Sequence, residues 1–191
     1  MGYIDKEDIK SSIEVLNKGG VILYPTDTVW GIGCDATNPE AVRRIYEIKR
    51  RNDAKALITL VDSEVKVQFY VREVPEVAWD LISLSEKPIT IIYDGARNLA
   101  ENLLAEDGSI GIRVTNEPFS RELCFRFRRA LVSTSANKSG APTPSCFAEI
   151  SEEIKNAVDY VCKSRREEAS EAKPSSIIKI GIGGQIKIIR E

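Results

Sequence analysis

The chain contains no histidine. This excludes Ser-His-Asp and Cys-His nucleophilic catalysis and any histidine-ligated metal centre. Catalysis, if there is any, rests on lysine, arginine, hydroxyls, carboxylates, backbone amides or an ion carried in by a substrate. The four cysteines (Cys34, Cys124, Cys146 and Cys162) form no C-x-x-C and match no zinc spacing, so they read as buried reduced thiols. No G-x-x-x-x-G-K-[ST] is present, which removes a Walker-type NTPase. Gly31 and Gly33 do not complete a G-x-G-x-x-G, so a dinucleotide fold gains no support. No apolar run approaches the ~20 residues of a membrane span, and the opening MGYIDKEDIK lacks a signal-peptide pattern. A cytoplasmic protein without membrane contact is expected. With 27 basic against 29 acidic side chains the formal net charge is −2, so no global field draws the chain onto nucleic acid. A polyanion would need a local patch.

The 191 residues are 42% hydrophobic, enough for one domain, 1–191, with a full core. Asp5 is placed to cap a helix over residues 6–18 that Gly19-Gly20 stops, and Val21–Tyr24 reads as a strand ending at Pro25. Asn38-Pro39-Glu40 opens a second helix. Strands are expected at Ala56–Val61, Pro88–Tyr93, Ser109–Thr115, Ala130–Thr134 and Val158–Cys162. Ser63–Tyr70, Pro75–Leu84, Pro118–Arg128 and Glu149–Asn156 read as helices, with Val77, Trp79, Leu81 and Leu84 mostly inward on the second. Lys163–Lys173 reads as a mobile surface loop, and Ser176–Ile180 with Gln185–Ile189 as a terminal hairpin. The mixed order of elements argues one α/β domain with a partly antiparallel sheet.

Two separated segments carry most of the polar chemistry. YPTDTVWGIG (Tyr24–Gly33) leaves a strand with two threonines, which either cap a turn or meet a ligand. Lys49-Arg50-Arg51 closes the second helix and Lys55 follows, either offsetting the helix dipole on a solvated face or clamping phosphates. STSAN (Ser133–Asn137) ends another strand with serial hydroxyls that suit a Ser/Asn turn or phosphate and ribose oxygens. Arg113 either faces solvent or lines a cleft, and Arg190 reads as frayed and exposed. The groups Arg126/Arg128/Arg129 and Lys163/Arg165/Arg166 read as solvated surface before RNA contact.

Taken together, YPTDTVWGIG, Lys49-Arg50-Arg51 as K-x-R, SIGIRV, STSANKSG, KPSSIIKI and the terminal IIR resemble the YrdC/TsaC family of threonylcarbamoyl-AMP synthases, in order and over almost the whole chain. The resemblance implies a twisted open mixed α/β sheet with flanking helices and a large, basic, concave cavity. It also implies a nucleotidyltransferase that makes threonylcarbamoyl-AMP and pyrophosphate from L-threonine, bicarbonate and ATP, with Mg²⁺ arriving on the ATP and no metal site of the protein's own. Partner proteins, the t6A transferase machinery, then modify adenosine 37 of tRNA. tRNA or double-stranded RNA is a further partner to consider. Carried over residue by residue, Lys49, Arg51, Lys55, Ser109, Ser135, Asn137, Thr143 and Arg190 fall on the ATP side, with Lys49 and Arg51 as the catalytic pair. Thr28, Arg113, Ser133 and Ser175 fall on the threonine side. Trp30 replaces a usual tyrosine, Leu60 stands where many members have histidine, and Pro174 replaces a common acidic residue. A binding module for RNA on the same fold, and a relative that adenylates carbamate itself, are the competing readings.

Overall fold

The computed structural model describes residues 5–50, 57–168 and 174–191. Helix α1 (Lys6–Asn17) begins where the Asp5 carboxylate accepts the N–H groups of Glu7 and Asp8, at 2.9 and 3.2 Å. Strands β1 (Ile22–Tyr24) and β2 (Gly31–Gly33) follow as an antiparallel pair. Helix α2 (Pro39–Lys49) is capped by the Asn38 side chain on Glu40 and Ala41. It stops at Arg50, whose backbone turns left-handed at φ 49°. After β3 (Ile58–Val61) come one 3₁₀ turn, the short α3 (Val67–Tyr70), α4 (Glu76–Leu84) and β4 (Ile89–Tyr93). Strand β5 (Ile110–Val114), α5 (Pro118–Phe127) and β6 (Leu131–Ser135) form the next unit. The chain closes with α6 (Glu152–Ala157), β7 (Tyr160–Val161), β8 (Ser176–Ile180) and β9 (Ile186–Arg190).

Among the described residues the nine strands form one mixed sheet in the order β7-β1-β2-β6-β3-β5-β4-β8-β9. The α/β class expected from the sequence is the observed one. Three parallel pairs (β1/β7, β3/β5, β4/β8) are interspersed among antiparallel ones, three of which (β1/β2, β2/β6, β6/β3) run in succession. Side chains alternate across each strand. Ile112 and Val114 therefore turn one way, into a hollow shared with Ile82 of α4 and Arg121 of α5, while Gly111 and Arg113 turn to the other face. Helices α1 and α5 pack on each other, with α1 also against β1 and α5 against β3. No helix among the described residues is long and apolar enough to cross a membrane.

Three local expectations change. From sequence, Gly31 and Gly33 only permit close backbone approach or unusual dihedrals; in the fold they lie in strand β2, where close approach is what is used. A Cβ on Gly33 would lie 2.6 Å from the Tyr24 ring and against the Val132 carbonyl. On α4 the fully inward residue is Ala78. Val77, Trp79 and Leu81 are half-buried and Leu84 is 79% exposed, because the helix lies as a flank and not in the core. Of the cysteines, Cys34, Cys124 and Cys162 are buried and Cys146 is half-exposed; all four are free thiols.

Gly33→Ala tests the packing argument. With backbone on one side and a buried ring on the other, the added methyl must displace one of them, so the variant should lose about 1–3 kcal/mol in urea unfolding. A loss within about 0.5 kcal/mol, the range of ordinary surface changes, would show that the sheet relaxes freely there.

Candidate functional site

The face of the sheet that carries Arg113 is concave between β2 and β8, and a hollow of about 170 Å³ opens there. Gly31 of β2, Ile58 of β3 and Ile177 of β8 supply its backbone and apolar wall. The polar lining comes from four distant stretches. Thr28 follows β1, Arg113 is on β5, Ser133 and Ser135 are on β6, and Ser175 and Arg190 come from the terminal hairpin. Thr143 arrives from the loop after β6 and also lines an adjoining hollow of about 420 Å³, which it shares with Asn137.

The two threonines of the YPTDTV turn are placed differently. Thr26 caps the turn, its hydroxyl donating to the Val29 carbonyl at 2.7 Å and accepting the Thr28 N–H at 3.1 Å. Thr28 faces the hollow. The lysine of K-x-R is buried, not on a solvated face. Lys49 Nζ reaches the Ser135 carbonyl at 2.6 Å, with the Ser135 hydroxyl at 3.4 Å and Asn137 Oδ1 at 3.5 Å. The end of α2 is thereby tied to the S-x-N turn, which Asn137 holds closed by donating to the Lys138 and Ala141 carbonyls. Arg190 is not frayed. Its guanidinium donates twice to the Ser175 carbonyl, at 3.0 and 2.7 Å, which fixes Ser175 at the rim. The Ser175 hydroxyl meets that of buried Thr90 at 2.8 Å.

Not every expected residue joins this group. Ser109 lies at the opposite end of β5 from Arg113, and its hydroxyl donates to Asp107 at 2.6 Å. It does not line the hollow. Arg51 and Lys55 lie outside the described residues. Leu60 is fully buried in β3 as the register partner of both Arg113 and Leu131. Of the arginines around the end of α5, Arg126 pairs with Glu122 and Arg129 with Asp35.

Arg113 is only 3% exposed, and its counter-ion is Asp27, with Nη2 and Oδ1 3.1 Å apart. Burial pushes the Asp27 carboxyl above the usual carboxylate range, with Arg113 opposing, and burial likewise pulls Arg113 down against the pull of Asp27. Sequence reasoning assigned Asp27 no role. Its only signal is a carboxylate between two threonines of the motif, and nothing local couples it to β5.

The segment after β7 is also different from expectation. The part at 163–168 is not a loose loop. Buried Asp8 of α1 accepts the N–H groups of Lys163 and Ser164, the Ser164 hydroxyl and the Tyr160 hydroxyl. Arg165 donates to the Thr26 carbonyl at 3.1 Å and pairs with Glu117 at 3.2 Å, joining this strap to the YPTDTV turn. Residues 169–173 lie outside the described residues.

Comparison with known proteins follows the same lines. The Sua5/YciO/YrdC family model, described as telomere recombination, matches residues 14–191. The chain is 37% identical over 159 residues to a threonylcarbamoyl-AMP synthase of Pseudoalteromonas translucida (strain TAC 125), covering 82% of this chain and 85% of that protein. Among solved structures, Escherichia coli YciO superposes with a TM-score of 0.85 at 26% identity, over 98% of this chain and 90% of YciO. P. abyssi Sua5 complexed with L-threonine superposes with a TM-score of 0.85 at 22% identity, a likeness of fold. The chain covers 93% of its own length but spans only about half of that Sua5 chain (52%).

The strap makes a pH prediction. Desolvation raises the Asp8 carboxyl, but the Ser164 hydroxyl, the Lys163 N–H, the Tyr160 hydroxyl and the Ser164 N–H together hold it below its ordinary 3.8. A carboxyl with a depressed folded value contributes stability that is complete above the unfolded value and is lost as pH falls through the folded one. Asp8→Asn should therefore cost about 1–3 kcal/mol near neutrality, and the gap from wild type should close as pH drops below about 4. An equal gap at pH 7 and pH 2.5 in denaturant titrations would contradict a charged Asp8 anchoring the strap.

Proposed function

This chain belongs to the Sua5/YciO/YrdC family, and from that premise we propose that it is a threonylcarbamoyl-AMP synthase. In this reading the threonine amine and bicarbonate combine to a carbamate, a carbamate oxygen attacks the α-phosphorus of Mg-ATP in line, and pyrophosphate leaves. The product feeds t6A formation on tRNA through separate transferase proteins. The observation that carries the reading is the convergence of Thr28, Arg113, Ser133, Ser135, Thr143, Ser175 and Arg190 on one hollow.

The chemistry suits a protein without histidine. Nucleotidyl transfer needs positioning and charge stabilisation more than covalent help. Arg113 holds the threonine carboxylate, and the hydroxyls of Thr28, Ser133 and Ser175 orient the substrate beside it. Lys49 neutralises phosphate charge at the S-x-N turn, where Ser135, Asn137 and Thr143 receive the nucleotide. Arg190 acts from the rim, and Arg51 and Lys55 complete the phosphate contacts. The larger share of binding sits in pre-placed groups, since Lys49 and Arg190 are already hydrogen-bonded and need little reordering. The strap at 163–168 keeps water from the carbamate and the mixed anhydride by holding the YPTDTV turn down.

Pyrophosphate release from Mg-ATP and bicarbonate should depend on L-threonine. Arg113→Ala should lower kcat/KM for threonine by about 100-fold or more, the order of a lost charged hydrogen bond in a buried site, while ATP affinity stays within a few-fold. Pyrophosphate release that ignores threonine, or an Arg113→Ala variant with wild-type threonine kinetics, would overturn the reading.

A further inference from the structure

Among the described residues, buried Arg113 Nε, a donor, and buried Asp27 Oδ1, an acceptor, lack hydrogen-bond partners. The two side chains form an ion pair at 3.1 Å, yet Asp27 Oδ1 receives no aligned hydrogen bond from it. Leaving a buried donor and a buried acceptor unsatisfied is costly, and such pairs persist where a ligand completes them. Asp27 is held in place independently. Its loop is fixed by the Thr26 hydroxyl on Val29 and by Arg165 on the Thr26 carbonyl. The neighbouring carboxylate, Glu117, is already occupied by the N–H groups of Phe119 and Ser120 and by Arg165.

We propose that Asp27 Oδ1 accepts the ammonium group of the amino-acid substrate whose carboxylate Arg113 holds, so that the pair selects an α-amino acid over an α-hydroxy acid. This rests on the reading of Arg113 as the carboxylate-binding residue. An α-amino acid carries an acceptor and a donor on adjacent carbons, and it satisfies both orphaned atoms while adding no net charge. An α-hydroxy acid can donate its hydroxyl to Asp27, but it lacks the ammonium charge and so brings an uncompensated second negative charge beside Asp27 in a desolvated site, which is unfavourable. The pair stands between two hollows, with Arg113 in the wall of the smaller and Asp27 in that of a larger one of about 660 Å³. The substrate head group would sit at that junction.

The test is calorimetric titration of the full chain, without ATP, using L-threonine and its 2-hydroxy analogue, 2,3-dihydroxybutanoate, on wild type and on Asp27→Asn. Wild type should prefer threonine by roughly 10- to 100-fold, the range expected for a hydrogen bond to a charged group, and in Asp27→Asn the preference should fall below about 3-fold. If both ligands weaken equally in the variant and the ratio is kept, Asp27 only shapes Arg113 and the proposal is overturned. If wild type binds the two ligands equally, it is overturned without any variant, so a variant that fails to fold does not protect it. If wild type binds neither ligand and shows no threonine-dependent turnover, the threonine reading itself fails, an outcome distinct from the other two.

Discussion

The account depends on one buried ion pair, Arg113 with Asp27. Two charges taken out of water rarely repay their desolvation through mutual attraction alone, and a pair of apolar side chains would usually serve stability as well or better. Here the pair is also imperfect, with a donor and an acceptor left open inside a folded sheet. The surrounding structure holds it there regardless. Leu60 backs Arg113 from β3, Thr26 and Arg165 fix the loop of Asp27, and Arg165 is itself held by Glu117 and by the strap that Asp8 secures. Cost borne at one place and supported from several others is the usual sign of a site kept for binding.

Around that pair the nucleotide side is organised by a different device. Lys49 crosses from the end of α2 to the S-x-N turn, so two motifs far apart in the chain share one lysine. The Lys49 ammonium is buried against the Ser135 carbonyl, with the Ser135 hydroxyl and the Asn137 amide oxygen nearby. Arg190 plays the complementary part at the rim, joining the last strand to the start of β8. The terminal hairpin thus belongs to the site even though its outer strand, β9, is exposed along its whole length.

Much of this was legible in the sequence because it is local. Asp5, Asn38 and the Pro-led helix starts act through neighbours a few residues away, and the helices begin where those caps placed them. The α/β class follows from element order, and the motif residues Thr28, Arg113, Ser133, Ser135, Thr143, Ser175 and Arg190 line one hollow. What was not legible depends on long-range geometry. Nothing near Gly33 announces the Tyr24 ring beneath it. Asp27 and Arg113 meet although β2, β6 and β3 separate β1 from β5 in the sheet, because the loop after β1 reaches across to β5. Lys163–Arg166 has the composition of a free loop, and only a buried carboxylate from α1 makes it an anchored strap. Ser109 shows the converse error. It shares a face with Arg113, but a strand rises about 3.3 Å per residue, so four positions carry it to the far end.

The most direct measurement is a crystal structure of the chain with L-threonine and a non-reactive ATP analogue bound together. The account predicts the threonine carboxylate within hydrogen-bond distance of Arg113, its side chain among Thr28, Ser133 and Ser175, and the analogue's phosphates beside Lys49 and the turn at Ser135–Asn137. Threonine bound away from Arg113, or an analogue seated on another face of the sheet while this hollow stays empty, would contradict it.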